Sequence, residues 1–189
     1  ASPYAYINAS YGISYDTNVF SDPLPSWDEE DMNFDYQKNV SNALSLSADI
    51  FFSSGPAGLS VSALLGIPFH SEVYDYGSGV WGGADALPYI TLSIGPTFRY
   101  DTGPLDLFLS LRAGIGADDF YRTGITFDII VDGGIRFFPT ERMVVSVGAL
   151  YDARLMKFYI GNLDYVYEPG YIMLGLGGYV SVGIMVGDR

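Results

Sequence analysis

The stretch GGIRFFPTERMVVSVGALYD, residues 133–152, sets two alternating runs on either side of Pro139-Thr140-Glu141-Arg142. One face carries Ile135, Phe137, Val145, Val147, Ala149 and Tyr151. The other carries Gly134, Arg136, Ser146, Gly148 and Asp152. Period-two alternation broken by a polar, Pro-led turn is the pattern of a β-hairpin. The fold then depends on which of the two faces points inward.

The same alternation runs through nearly the whole chain, and helical periodicity is hard to find. It predicts eight strands, at about 4–15, 40–52, 58–70, 88–100, 105–117, 124–138, 143–155 and 171–187. Three connections are short and built of turn residues: Ser53–Ala57, Asp101–Pro104 and Pro139–Arg142. The others, at 16–39, 71–87, 118–123 and 156–170, are longer. Short turns at one end and long loops at the other make an antiparallel meander. No linker or repeat divides it, so residues 1–189 are expected to form one domain.

Composition narrows the classes further. Charged residues are 16% of the chain and aromatics 16%, whereas a soluble domain averages about 25% charged. The net charge of −13 is the wrong sign for nucleic acid. There is no cysteine, hence no disulfide framework and no thiol chemistry. No run of about 18 apolar residues is available for a transmembrane helix. The chain enters an alternating segment directly after Ala1-Ser2-Pro3, as expected of a mature, trimmed protein.

An eight-stranded meander closes either as a soluble barrel, apolar inside, or as a transmembrane barrel, apolar outside. The polar face decides. It is dominated by Gly and Ser and has no Lys and no Glu, a poor surface for water. Its charges are five acids, Asp49, Asp106, Asp128, Asp132 and Asp152, and four arginines, Arg99, Arg112, Arg136 and Arg154. Buried charge must be paired, and the Arg fork suits bidentate pairing with carboxylates. Eight strands leave a lumen that side chains just fill. The apolar face carries no charge, and aromatics such as Tyr15, Phe52, Phe69, Phe98, Phe137 and Tyr151 lie near strand ends, as in a lipid-facing band. The expected fold is therefore an all-β, eight-stranded, antiparallel up-and-down transmembrane barrel, with Arg136 and Asp152 in the lumen.

The segments LPYITLSIGPTFRYDTGPLDLFLSLRAGIG and GGIRFFPTERMVVSVGALYD resemble the small outer-membrane β-barrel superfamily of the OmpA, OmpX and OmpW type. The shared pattern is strand, acidic or Pro turn, then a strand ending in aromatic-Asp. The eight-strand count extends it over the whole chain. The resemblance implies a bacterial outer-membrane location, contact with outer-membrane lipid, short turns in the periplasm and long loops outside. The ending Met185-Val186-Gly187-Asp188-Arg189 departs from the terminal aromatic common in that superfamily.

Several constellations carry candidate chemistry. Arg112 and Asp132 fall at similar heights on neighbouring strands, as a gate or, in the simpler alternative, as a structural plug of ion pairs. The first loop, 16–37, holds seven acids. Its Phe20, Trp27, Asp28, Glu29, Glu30, Asp31, Phe34 and Tyr36 are expected to meet an extracellular or host surface partner. Asp28–Asp31 matches no defined Ca²⁺ loop, and neither a metal nor a cofactor is expected. Pro68 and Pro96 each remove a ladder donor and mark bulges, or a lateral exit for a small hydrophobic solute. His70, the one histidine, precedes Ser71 on a strand, where neighbours face apart. A lipid-modifying enzyme at the rim is the less favoured alternative, and no catalytic residue is assigned. The function expected is non-enzymatic: loop display at the surface and envelope support, with a narrow porin-like conduit as the alternative.

Overall fold

The computed structural model describes residues 3–18, 36–52, 54–75, 79–83, 87–119, 124–161 and 164–187. The described residues form nine strands: β1 (Tyr4–Asn18), β2 (Tyr36–Phe51), β3 (Ala57–Asp75), β4 (Val80–Gly83), β5 (Tyr89–Asp101), β6 (Leu105–Asp119), β7 (Gly124–Phe137), β8 (Met143–Gly161) and β9 (Asp164–Val186). Eight of them close an antiparallel barrel in the order β2-β1-β9-β8-β7-β6-β5-β3, and β3 returns to pair with β2. Closure satisfies each strand on both sides, which a lipid surround demands.

The short turns show why the chain reverses where it does. Between β5 and β6, Gly103 has φ +93°, a region other residues avoid. Its N–H donates to Asp101 Oδ1 at 2.7 Å, and the Thr102 N–H donates to the Leu105 carbonyl at 2.9 Å. Between β7 and β8, Met143 N–H donates to Thr140 Oγ1 at 3.1 Å.

The two faces separate as alternation requires. In the opening stretch Arg136, Ser146 and Asp152 are buried, while Ile135, Phe137, Val147 and Tyr151 are exposed. Around the barrel the outward face is a charge-free band including Ile7, Leu46, Leu92, Leu109, Ile115 and Val182. Phe52, Phe98, Tyr100 and Phe137 rim it at the turn end, and Tyr15, Phe69, Phe127 and Tyr151 at the loop end. Roughly ten tilted residues separate the two rims, about 25 Å, the height of a lipid-facing band.

Three features differ from the sequence expectation, all at the loop end. β4 is a ninth strand, inside what reads as the 71–87 loop. It pairs only with the upper part of β3, Glu72↔Gly83 to Asp75↔Val80. The expected loop at 156–170 is instead part of a hairpin, with Lys157↔Glu168 and Gly161↔Asp164 in register. Asp16 and Tyr36, placed in the first loop by their polar surroundings, are strand residues. The bulge expected at Pro68 is present: β2 and β3 shift register between Val40 and Ser41, where Phe69, next to Pro68, has no partner. Pro96 causes no shift, but no partner is recorded between Ile94↔Ala113 and Thr97↔Ser110.

One close approach sets the loop-end wall. A Cβ added at Gly66 would overlap the Tyr89 ring, which packs across the β3–β5 seam. Gly66→Ala is expected to destabilise the barrel by about 1–3 kcal/mol, the cost of overpacking. Thermal unfolding in detergent micelles checks this, and an unchanged midpoint would contradict the packing.

Candidate functional site

The lumen is filled in layers along its axis. At the turn end Tyr4, Tyr6, Phe51 and Val144 form a buried apolar cluster. The Tyr4 and Phe51 rings stack at 5.2 Å. Arg99 lies over both, 5.1 Å from Tyr4 and 5.4 Å from Phe51. Its Nη1 is 3.6 Å from Asp106, to which Tyr6 donates at 3.3 Å.

Above this layer Arg136 pairs with Asp49 across the lumen, from β7 to β2. The guanidinium is sandwiched by Phe108 at 4.1 Å and Tyr6 at 4.9 Å. Higher again, Arg112 donates to Asp132 Oδ2 at 2.7 Å and to Ser60 Oγ at 2.9 Å. Tyr179 donates to the other Asp132 oxygen at 2.9 Å. Asp132 thus accepts from two strands, fixed by β6 and β9 together. Between the Arg136 and Arg112 levels is a cavity of about 40 Å³, space on the scale of a few waters. Asn8 and Arg136 line it, and Asn8 Oδ1 and Arg136 Nε find no protein hydrogen-bond partner.

A second apolar layer, Ala43, Leu64, Tyr89 and Ile130 with Leu150 against it, crosses the lumen nearer the loop end. It is topped by Arg154, which lies 3.4 Å from the Tyr89 ring centroid. Arg154 donates to Asp152 at 2.9 Å and approaches Asp16 at 3.4 Å. Asp128 is fully buried here. It accepts from the hydroxyls of Thr91 and Thr126.

All nine lumen charges named from the sequence are therefore buried. The structure groups them by height: Arg99 with Asp106, Arg136 with Asp49, Arg112 with Asp132, and Arg154 with Asp152. Sequence reading missed Asp16 and the inward aromatics Tyr4, Tyr6, Phe51, Tyr89, Phe108 and Tyr179. The signal was present: each shares strand parity with a polar lumen residue, as Tyr6 does with Asn8 and Phe51 with Asp49.

At the outer rim His70 Nε2 is 3.3 Å from Glu72 Oε1, and its side chain is 59% exposed. His70 pairs with Val40 and Ser71 with Asn39, so the two residues take opposite faces of β3. Among the described residues no group of three or more acids or histidines is placed to hold a metal. Phe20, Trp27, Asp28, Glu29, Glu30, Asp31 and Phe34 lie outside the described residues. Tyr36 begins β2, opposite Tyr74.

Neither a family model nor a curated protein matches the sequence. Solved structures do match the fold. Neisserial surface protein A is similar with TM-score 0.58 and 12% identity, covering 96% of each chain. OprG from Pseudomonas aeruginosa gives TM-score 0.55 and 9% identity, over 98% of this chain and 94% of that one. Ail, the attachment invasion locus protein of Yersinia pestis, solved with the heparin analogue sucrose octasulfate, gives TM-score 0.50 and 14% identity, over 98% of this chain and all of that one. The fold is that of the small bacterial outer-membrane barrels.

Proposed function

We propose that this outer-membrane barrel is a closed, non-enzymatic scaffold that holds its loop end at the cell surface for contact with an external partner. The observation that carries this reading is the filled lumen. Two apolar layers and four Arg–Asp pairings interrupt the axis. A solute path would have to break buried ion pairs at each level, and each stranded charge is costly. His70, facing Glu72 rather than a hydroxyl, supports the non-enzymatic reading.

Charge narrows the partner. Residues 19–35, which join the loop-end termini of β1 and β2, contain six acids and no Lys or Arg. Like charge opposes a polyanion such as the one in the Ail structure, and a cationic surface or peptide is complementary.

The test is ion flux through liposomes containing the refolded protein, beside a boiled control. Insertion with no flux above the control is expected. Flux above it would overturn the plug and favour the conduit. Deleting residues 20–34 is expected to abolish binding to the partner surface while leaving the barrel folded; unchanged binding would remove the loop from the proposal.

A further inference from the structure

We propose that the free edge of β4 receives an extended, basic segment of a partner protein as an added strand. The inference rests on the cationic-partner reading above and deepens it, by naming how such a partner is held.

The edge is open because of where β4 pairs. Among the described residues the eight barrel strands each pair on two sides, whereas β4 pairs with β3 alone. β3 parts from β5 at Gly66↔Tyr89, six residues before Glu72↔Gly83 begins the β4 ladder. No described barrel strand covers the outer side of Val80–Gly83. Their partners on β3, Glu72 to Asp75, lie three to six residues beyond Phe69 of the loop-end rim. On a tilted strand that is about 8–15 Å past the hydrocarbon boundary. Within lipid an unpaired edge would be forbidden; at that height it is allowed.

The edge is also unguarded. Natural edges are blunted by charges, above all Lys, or by Pro. The sequence VWGG has neither, and all four residues are exposed. A Cβ added at Gly82 or Gly83 would meet nothing within 4 Å, so a second backbone can approach. Strand addition takes its affinity from main-chain hydrogen bonds and its selectivity from alternate side chains.

The neighbours favour a basic strand. Glu72 is opposite Gly83, and its side chain is 42% exposed. With only glycine between, a lysine on an added strand, about 10 Å away at two strand spacings, reaches that carboxylate. Trp81 and Tyr74, 5.3 Å apart, offer an apolar contact beside it. Lys38 meets the Trp81 ring from β2, on the far side of β3 from the edge.

The experiment uses the full chain refolded into phosphatidylcholine nanodiscs, with empty discs as control. The probe is an alternating Val-Lys octapeptide. Its comparisons are an alternating Val-Glu octapeptide and the Val-Lys peptide N-methylated throughout, which keeps the charge but donates no main-chain hydrogen bond. Calorimetry is expected to show the Val-Lys peptide binding about tenfold tighter than its N-methylated form, the loss of about two main-chain bonds, with no binding of the Val-Glu peptide. Amide hydrogen exchange should slow at alternate residues of Val80–Gly83 when the Val-Lys peptide is added. Gly82→Lys, which guards the edge, should weaken that peptide to the level of the N-methylated form, and Glu141→Gln at the opposite end should change nothing. Heat-modifiable migration confirms that both variants are folded. Equal binding of the two cationic peptides would overturn strand addition and leave the cationic partner standing. Binding of neither would remove both. A dimer in the discs with Val80–Gly83 protected before any peptide is added would also overturn the proposal, since a second copy would then hold the edge.

Discussion

Replacing Arg136 by alanine is expected to destabilise the barrel by about 3–5 kcal/mol, the cost of stranding a buried partner. Arg136 is 1% exposed and Asp49 4%. Without the guanidinium, Asp49 would keep a charge in the lumen with no cation opposite, and Phe108 and Tyr6 would lose the plane between them. Arg112→Ala should fall in the same range, because it strands Asp132. The double variant Asp49→Ala/Arg136→Ala should cost less than the two single changes added together, since no lone charge remains. Arg142→Ala, at the exposed turn, should stay within about 0.5 kcal/mol of wild type. Urea unfolding of the refolded protein in lipid vesicles gives all five values, that of Asp49→Ala included. A midpoint for Arg136→Ala equal to wild type would contradict the lumen network.

Val147→Arg tests the opposite face. Val147 faces outward on β8 between the positions level with Phe137 and Tyr151 of the two aromatic rims, and is 51% exposed. In a bilayer an arginine at that depth costs about 2–4 kcal/mol. On a barrel whose outside met water, an exposed valine could become arginine within about 0.5 kcal/mol. Its neighbour Ser146 is 2% exposed, so a one-residue step in the sequence crosses the wall. Vesicle unfolding of Val147→Arg beside wild type separates the cases, and a neutral result would mean the faces are reversed.

The loop end was the least legible part of the fold. Below the rims, lipid outside and a packed lumen inside force every strand residue to one side, so alternation is strict. Above them water reaches both faces and the pattern loosens. β4, with all four residues exposed, has no pattern to find, and the upper β8–β9 hairpin reads as a loop because Pro169 and Gly170 interrupt it. Asp16 was hidden for the same reason: it follows Tyr15 in a run that continues into the acidic loop, and its burial, the Ser41 hydroxyl and the approach of Arg154 at 3.4 Å mark it as a lumen residue. The lumen aromatics were missed differently. Tyr4, Tyr6 and Phe51 have inward parity, but bulk at a strand end suggests a lipid rim, and parity outranks it.

The sequence by itself determined the inside and outside of the barrel. Side-chain direction in a strand is a local consequence of the pleat, and a polar face without Lys or Glu cannot serve as a wet surface. Apart from Arg112 and Asp132, which strand order already set level, only the tertiary structure decided which arginine meets which aspartate. Arg136 and Asp49 are 87 residues apart and meet because closure with a particular stagger brings β7 and β2 to one height across the lumen. Stagger is a property of the closed sheet, and no single strand carries it. The same closure sets Arg154 on Tyr89 and leaves Asp128 to two threonines. It turns alternating polar residues into a stack of layers that closes the axis.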